Sequence, residues 1–216
     1  MKGYLANGLF SLSDIMFNEF LAGKIEAAIP ELDLYVPQRN QAINDKNAYA
    51  DSIMIAQADT DKLKESDFLV AVIDGVEIDS GVAAEIGIFS TLGRPIYALY
   101  SDSRQKGTGN IHKINALTDD STENQFVYRN LFVVGLIKNT DGGIFETVED
   151  LVSKLEIDSV IETAKQAMKD AEDAFMKATS WAPDDFIAME ERYNEKWISN
   201  GFTWAYIYYF IHSKDI

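Results

Sequence analysis

The sequence predicts an α/β protein: a doubly wound, five-stranded parallel sheet over residues 1–157, followed by a C-terminal helical and aromatic extension over 158–216. Three observations carry this expectation. Strand-like apolar runs alternate with helical stripes through the first 157 residues. The run Phe68-Leu69-Val70-Ala71-Val72-Ile73 is apolar on both faces, as a strand covered by helices on each side must be. The 216 residues are 47% hydrophobic and 12% aromatic with only 4 Pro, a composition that fills a core and does not suit disorder.

Taken in order, Gly3–Ala6 reads as the first strand, closed by the turn signal Asn7-Gly8. Ser11 and Ser13 offer N-caps to a helix whose Phe17, Phe20, Leu21, Ile25 and Ala28 share one face. Leu32-Asp33-Leu34-Tyr35-Val36 is the second strand, stopped by Pro37. A helix over Tyr49–Glu65 leads into the central strand at Phe68. The Gly/Asp-rich loop Asp74–Gly81 and a helix over Val82–Leu92 follow, and Arg94-Pro95 turns the chain into a strand at Ile96–Tyr100. Ser101–Gln125 is polar and carries Gly107 and Gly109, so a long loop or flap is expected. Asn130-Leu131-Phe132-Val133-Val134 is expected as the last strand and Glu146–Leu155 as the last helix of this domain. Beyond it, Ile161, Ala164, Met168, Ala171 and Phe175 mark an amphipathic helix over 158–180. A further helix is expected over Asp185–Ser199, ahead of an aromatic tail that includes Trp204, Tyr206 and Tyr208.

Composition narrows function. The 19 Lys and Arg against 35 Asp and Glu leave a formal charge of −16, so nucleic-acid polymers and anionic membranes make poor partners. Without Cys there is no thiolate nucleophile and no Cys-ligated metal, and His112 and His212 are too far apart to form a local metal motif. No metal or organic cofactor is expected. The start of the chain lacks the apolar run of a signal peptide, and Phe202–Ile211 is about half the ~20 residues that span a bilayer, so the expected location is cytoplasmic.

In an open parallel sheet, ligands bind beyond the carboxyl ends of the strands. The loop after Ile73 is the richest there, because it delivers Asp74, Asp79 and Glu85 to one crevice while Gly81 permits close approach. Glu85 falls about one turn into the next helix, where the helix dipole is expected to keep a carboxylate ionised as a nucleophile or base. The plainer alternative is that Glu85 only complements that dipole.

Three segments together resemble the nucleoside 2-deoxyribosyltransferases. They are Tyr4-Leu5-Ala6-Asn7-Gly8-Leu9-Phe10, Ala58-Asp59-Thr60-Asp61 shortly before Ser66-Asp67, and Asp79-Ser80-Gly81-Val82-Ala83-Ala84-Glu85-Ile86-Gly87. The likeness covers about residues 1–157. It implies a flavodoxin-like or Rossmann-like sheet and a ping-pong exchange of 2-deoxyribose between nucleobases. By the resemblance Glu85 is the nucleophile that attacks C1′ and holds a covalent deoxyribosyl ester. Asp59 is the group that protonates or hydrogen-bonds the base, Asp79 grips sugar hydroxyls, and Tyr4 holds the nucleophile through its hydroxyl. An oxocarbenium-like transition state needs this kind of pairing, a carboxylate at the anomeric carbon and a proton donor at the departing group.

Four positions keep an ordinary alternative. Tyr4 is otherwise a half-buried strand tyrosine. Gln41, in Val36-Pro37-Gln38-Arg39-Asn40-Gln41, either contacts the base edge or is a polar loop tip. Phe10 either stacks on the base or staples the first helix. Asn130 either reaches the sugar 5′-hydroxyl in a neighbouring subunit's site, as the resemblance implies, or is a strand-edge residue. The family pattern also brings the chain's C-terminal carboxylate to a neighbour's site, whereas about sixty residues here follow the last domain helix.

The expected reaction is therefore exchange between free 2′-deoxynucleosides and free nucleobases, by a homo-oligomer. A hydrolase of the same fold would use the same Glu85, and a nucleotide-sensing module would need neither a nucleophile nor a proton donor. A version acting on 5′-nucleotides needs cations at the phosphate. Arg39 is the single cation expected near the crevice, which favours uncharged nucleosides.

Overall fold

A computed structural model describes residues 1–44, 49–126 and 129–179, with side chains up to residues 42 and 174 in the segments that end at 44 and 179. The helix expected over 185–199, the aromatic tail and His212 lie outside the described residues. Five parallel strands form one sheet in the order β2-β1-β3-β4-β5: β1 Lys2–Ala6, β2 Asp33–Tyr35, β3 Phe68–Val72, β4 Ile96–Leu99 and β5 Gly143–Phe145. The helices are α1 Leu12–Ala28, α2 Gln41–Asn44, α3 Ser52–Glu65, α4 Ser80–Ser90, α5 Ile111–Asp119, α6 Leu131–Lys138 and α7 Val148–Thr179.

Strand periodicity divides the core into two layers, one on each side of the sheet. Leu5, Phe68, Val70, Tyr97 and Leu99 pack against Leu21 and Ile25 of α1 and against Leu151 and Leu155 of α7. Tyr4, Ala6, Leu69, Ala71, Ile96 and Ala98 face the other way, onto Leu63 of α3, Val82, Ile86 and Phe89 of α4, and Val133 and Ile137 of α6. Each fully buried aliphatic side chain contributes about 1.5–3 kcal/mol to holding the layers together. Ser11 starts α1 with a capping box: its hydroxyl accepts from the Asp14 amide while the Asp14 carboxylate accepts from the Ser11 amide. The buried face of α1 is Asn18, Leu21, Ala22 and Ile25; Phe17 packs at its margin and Phe20 remains 49% exposed, so the expected stripe is rotated.

Three expectations are corrected. The segment Asn130–Val134 is not a strand. Asn130 caps α6, its Oδ1 accepting from the amides of Phe132 and Val133 at 3.0 and 3.4 Å, and Val133 and Ile137 bury one helical face. The fifth strand comes later, at Gly143–Phe145, paired with Tyr97–Leu99. The polar stretch after β4 is not only loop, because Asn110 caps α5 within it. Finally, the helices expected separately over 146–155 and 158–180 are one helix, α7. By compactness the chain divides between Ile157 and Asp158, inside α7.

Candidate active site

The sheet order reverses between β1 and β3, since the chain leaves β1 toward β2 on one side and β3 toward β4 on the other. A crevice beyond the carboxyl ends of these strands is where such a fold places ligands. Three chain segments bring polar groups to that point from apolar supports. Tyr4 is fully buried in β1 beneath α3 and α4, and its hydroxyl extends to Glu85. Glu85 precedes the core residue Ile86 on α4, so the packing of Val82, Ile86 and Phe89 fixes the rotation that brings its carboxylate to the sheet. Asp59 lies one turn before Leu63 on α3, and burial of Leu63 turns Asp59 toward the same place.

The bonds join these groups in pairs. Tyr4 Oη donates to Glu85 Oε1 at 2.5 Å. Tyr35, at the end of β2, donates its hydroxyl to Asp59 Oδ1 at 3.3 Å and accepts from Asn40 Nδ2 at 2.9 Å. The rings of Tyr4 and Tyr35 meet at 5.2 Å between centroids, so the two phenol–carboxylate pairs stand side by side. Burial, aided by the charges of Asp59 and Asp79 and opposed by the Tyr4 bond, pushes the Glu85 carboxyl up to about 7. This reverses the expectation of an ionised Glu85 held by the helix dipole. The dipole acts within the first turn, whereas Glu85 is the sixth residue of α4, where desolvation outweighs it. Burial also raises Asp59, against the Tyr35 bond. Tyr4 is pushed far above the usual phenol range by burial and then by Glu85, so it stays neutral and acts as a donor. Two carboxyl groups with raised proton affinities, each with its own phenol donor, thus stand at one crevice.

Other expected residues stand outside these bonds. Asp79 is the exposed N-cap of α4, where its Oδ1 accepts from the amides of Gly81 and Val82 at 2.8 and 3.2 Å. Gln41 is exposed at the start of α2. Phe10 is 82% exposed, too open to staple α1. Asn130 is exposed at its cap. Arg39 is held by Glu19 and Glu26 at 2.8 and 2.5 Å.

Sequence reasoning passes over three residues that shape the crevice, Tyr35, Asn40 and Arg129, and places a fourth, Asp74, there without its bonds. Tyr35 and Asn40 are described above; Tyr35 reads as one more strand aromatic, and its place at a strand end beside the switch point is the available signal. Asp74 accepts from the amides of Ser101 and Asp102 and from the Ser101 hydroxyl at 2.7, 3.0 and 2.6 Å, joining the loop after β3 to the one after β4. Arg129 is buried, donates to the carbonyls of Gly75 and Val76 at 2.7 and 3.3 Å, and lies 4.6 Å from the Tyr100 ring centre. Arg39 is therefore not the one cation close to these loops. Among the described residues, no group of three or more His, Cys, Asp or Glu side chains is arranged to hold a metal ion, and no helix is long and apolar enough to cross a membrane.

A family model described as nucleoside 2-deoxyribosyltransferase matches residues 4–130, a span that holds Tyr4, Asp59, Asp79 and Glu85. The chain belongs to this family. Among solved structures, this nucleoside 2-deoxyribosyltransferase family member is similar to a conserved protein from Enterococcus faecalis V583. The two are 50% identical with a TM-score of 0.68, and the match covers 72% of this chain and 96% of that one. A 2-deoxyribosyltransferase from the psychrotolerant bacterium Bacillus psychrosaccharolyticus shares the fold at 18% identity and TM-score 0.50, over 70% of this chain and 90% of that one. A CMP N-glycosidase from Clostridium botulinum, BcmB, matches at 18% identity and TM-score 0.40, over 73% and 98% of the two chains. None of the curated proteins matches the chain.

Proposed function

We propose that the protein exchanges 2-deoxyribose between nucleobases, with free 2′-deoxynucleosides as donors and free bases as acceptors. The observation that carries this reading is the Tyr4–Glu85 hydrogen bond, with Asp59 close enough for its charge to act on Glu85. In the first half-reaction the Glu85 carboxylate attacks C1′ as the N-glycosidic bond breaks. The bonding pair leaves with the base, which takes the proton of Asp59. The sugar is then held as a deoxyribosyl ester of Glu85. In the second half-reaction another base attacks C1′, Asp59 takes its N–H proton, and the Glu85 carboxylate is released. A positioned acid of this kind supplies a factor of ~10²–10⁴. Tyr4 orients Glu85 and stabilises it whenever it is a carboxylate. Asp79 is assigned to the sugar hydroxyls through the oxygen that does not cap α4, Gln41 and Phe10 to the base, and Asn130 to the sugar of a neighbouring subunit.

Incubating the protein with deoxyinosine and adenine tests the reading. Deoxyadenosine is the expected product. Release of hypoxanthine at a rate independent of adenine, without deoxyadenosine, would move the assignment to a hydrolase of the same fold. Glu85→Ala is expected to abolish turnover in either case.

A further inference from the structure

Hydrogen-bond direction can be followed from the backbone to Asp59 without ambiguity. The Ala42 amide can only donate, and it lies 3.1 Å from Asn40 Oδ1. That contact fixes the Asn40 amide group, so its Nδ2 is the end that meets Tyr35 Oη at 2.9 Å, and it donates. The Tyr35 oxygen is then an acceptor toward Asn40, and its single proton is left to point at Asp59 Oδ1, 3.3 Å away. The chain of donors runs one way: Ala42 amide, Asn40, Tyr35, Asp59. Oδ1 is thereby occupied as an acceptor, which favours Oδ2 as the oxygen that carries a proton on Asp59.

We propose that Tyr35 and Asn40 are positioning residues that confine the transferable proton of Asp59 to Oδ2 and tie this acid to the segment bearing Gln41. The inference rests on the assignment of Asp59 as the acid for the departing base. Its structural basis is the placement of the two residues. Tyr35 ends β2, with its ring against that of Tyr4 and Lys62 of α3 5.9 Å from its centre; Asn40 follows the short helical turn Pro37–Arg39 and directly precedes Gln41. A base that displaces Gln41 or Ala42 shifts Asn40, and through Tyr35 it shifts the donor that holds Asp59 Oδ1. The length of 3.3 Å suits a bond that tightens when substrate enters, as catalytic hydrogen bonds in unliganded sites often do.

The test compares two donors whose bases differ in their need for a proton. The base of deoxyinosine leaves readily only when protonated. The base of 7-methyl-2′-deoxyguanosine already carries a positive charge and leaves as a neutral molecule. For Tyr35→Phe, which keeps the ring, kcat/KM with deoxyinosine is expected to fall about tenfold to hundredfold, part of the range a general acid supplies. With the methylated donor it is expected to fall less than about threefold. Asn40→Ala is expected to show the same donor dependence at smaller amplitude. Thermal unfolding of each variant establishes that it is folded under the assay conditions.

Equal losses with both donors for Tyr35→Phe, or no loss with either, overturn the proposal. Asp59→Asn separates this failure from failure of the underlying reading. If Asp59→Asn loses activity selectively with deoxyinosine and Tyr35→Phe does not, Asp59 is the acid and Tyr35 does not position it. If Asp59→Asn loses both donors equally, Asp59 is not the acid and both statements fall.

Discussion

Glu85 is asked to do two things that conflict at the level of one residue. In the proposed reaction it must be an anion to attack C1′, yet it is placed where burial makes the anion costly and pushes its carboxyl up to about 7. Donor cleavage, measured as kcat/KM, is accordingly expected to fall as pH drops through about 7, because protonation removes the nucleophile. A profile flat down to pH near the ordinary carboxylate range would show that Glu85 is not the group whose ionisation matters. The same shift enters stability with the opposite sense. The unfolded carboxyl titrates at its ordinary 4.5 and the folded one at about 7, so the folded state binds the proton more tightly. Its favourable contribution is complete below 4.5 and is lost as pH rises through about 7. Glu85→Gln removes the buried charge while its amide oxygen still accepts from Tyr4. It is expected to stabilise the fold at pH 8 by on the order of 2 kcal/mol, with the difference vanishing near pH 4, as urea unfolding at the two pH values would measure. Tyr4, Asp59 and Glu85 were readable because each sits in a segment whose spacing resembles a known family. Tyr35 and Asn40 were not, because their role lies in the direction of hydrogen bonds across chain turns, which spacing does not encode.

At the scale of elements, α4 depends on one carboxylate that also carries an assignment in the reaction. Asp79 caps the helix and is proposed to grip the sugar, and its two isosteric or truncated variants separate these roles. Asp79→Asn keeps a good cap, so stability is expected to change by only a few tenths of a kcal/mol while kcat/KM falls if the charge meets the sugar. Asp79→Ala loses the cap as well and is expected to cost about 1 kcal/mol in addition. Equal activity of Asp79→Asn and the parent protein would leave Asp79 as a cap alone. The fifth strand depends on Gly142, where an added Cβ would lie 2.0 Å from the Ile96 carbonyl oxygen. Neither atom belongs to a flexible side chain, so Gly142→Ala must displace β5 from β4. A destabilisation of about 2 kcal/mol is expected from overpacking of this kind, read as a lowered unfolding midpoint. The sequence was most readable where both faces of a strand are apolar, as at Phe68–Val72. It misled at Leu131–Lys138, since a short run of apolar residues suits a buried helix as well as a strand. The Asn130 cap and the Gly142-Gly143 pair that admits a close-packed edge strand hold the information that decides between them.

Across the whole molecule, the formal charge of −16 bears on which donors reach the site. The carboxylates of the site add to this field locally, with Asp59, Asp79 and Glu85 brought toward one crevice. The cations near it are committed to protein groups: Arg39 to Glu19 and Glu26, Lys62 to Glu65, Arg104 to Asp102, and Arg129 to the Gly75 and Val76 carbonyls. A 5′-phosphate would enter against the general field and would have to draw one of these cations from its partners. Deoxyinosine is therefore expected to be a better donor than deoxyinosine 5′-monophosphate, by roughly tenfold or more in kcat/KM at about 10 mM salt, where charges act over ~30 Å. At about 0.5 M salt the range shrinks to a few ångströms, and the preference is expected to narrow severalfold as the long-range part is screened. What survives at high salt measures the local part, the lack of a group to receive the phosphate. If the nucleotide is instead the better donor at every ionic strength, one of these cations has been recruited to the phosphate. Arg129, inserted between the loops after β3 and β4, is then the first to replace, because its guanidinium already lies against the loop that leads to Asp79 and Glu85.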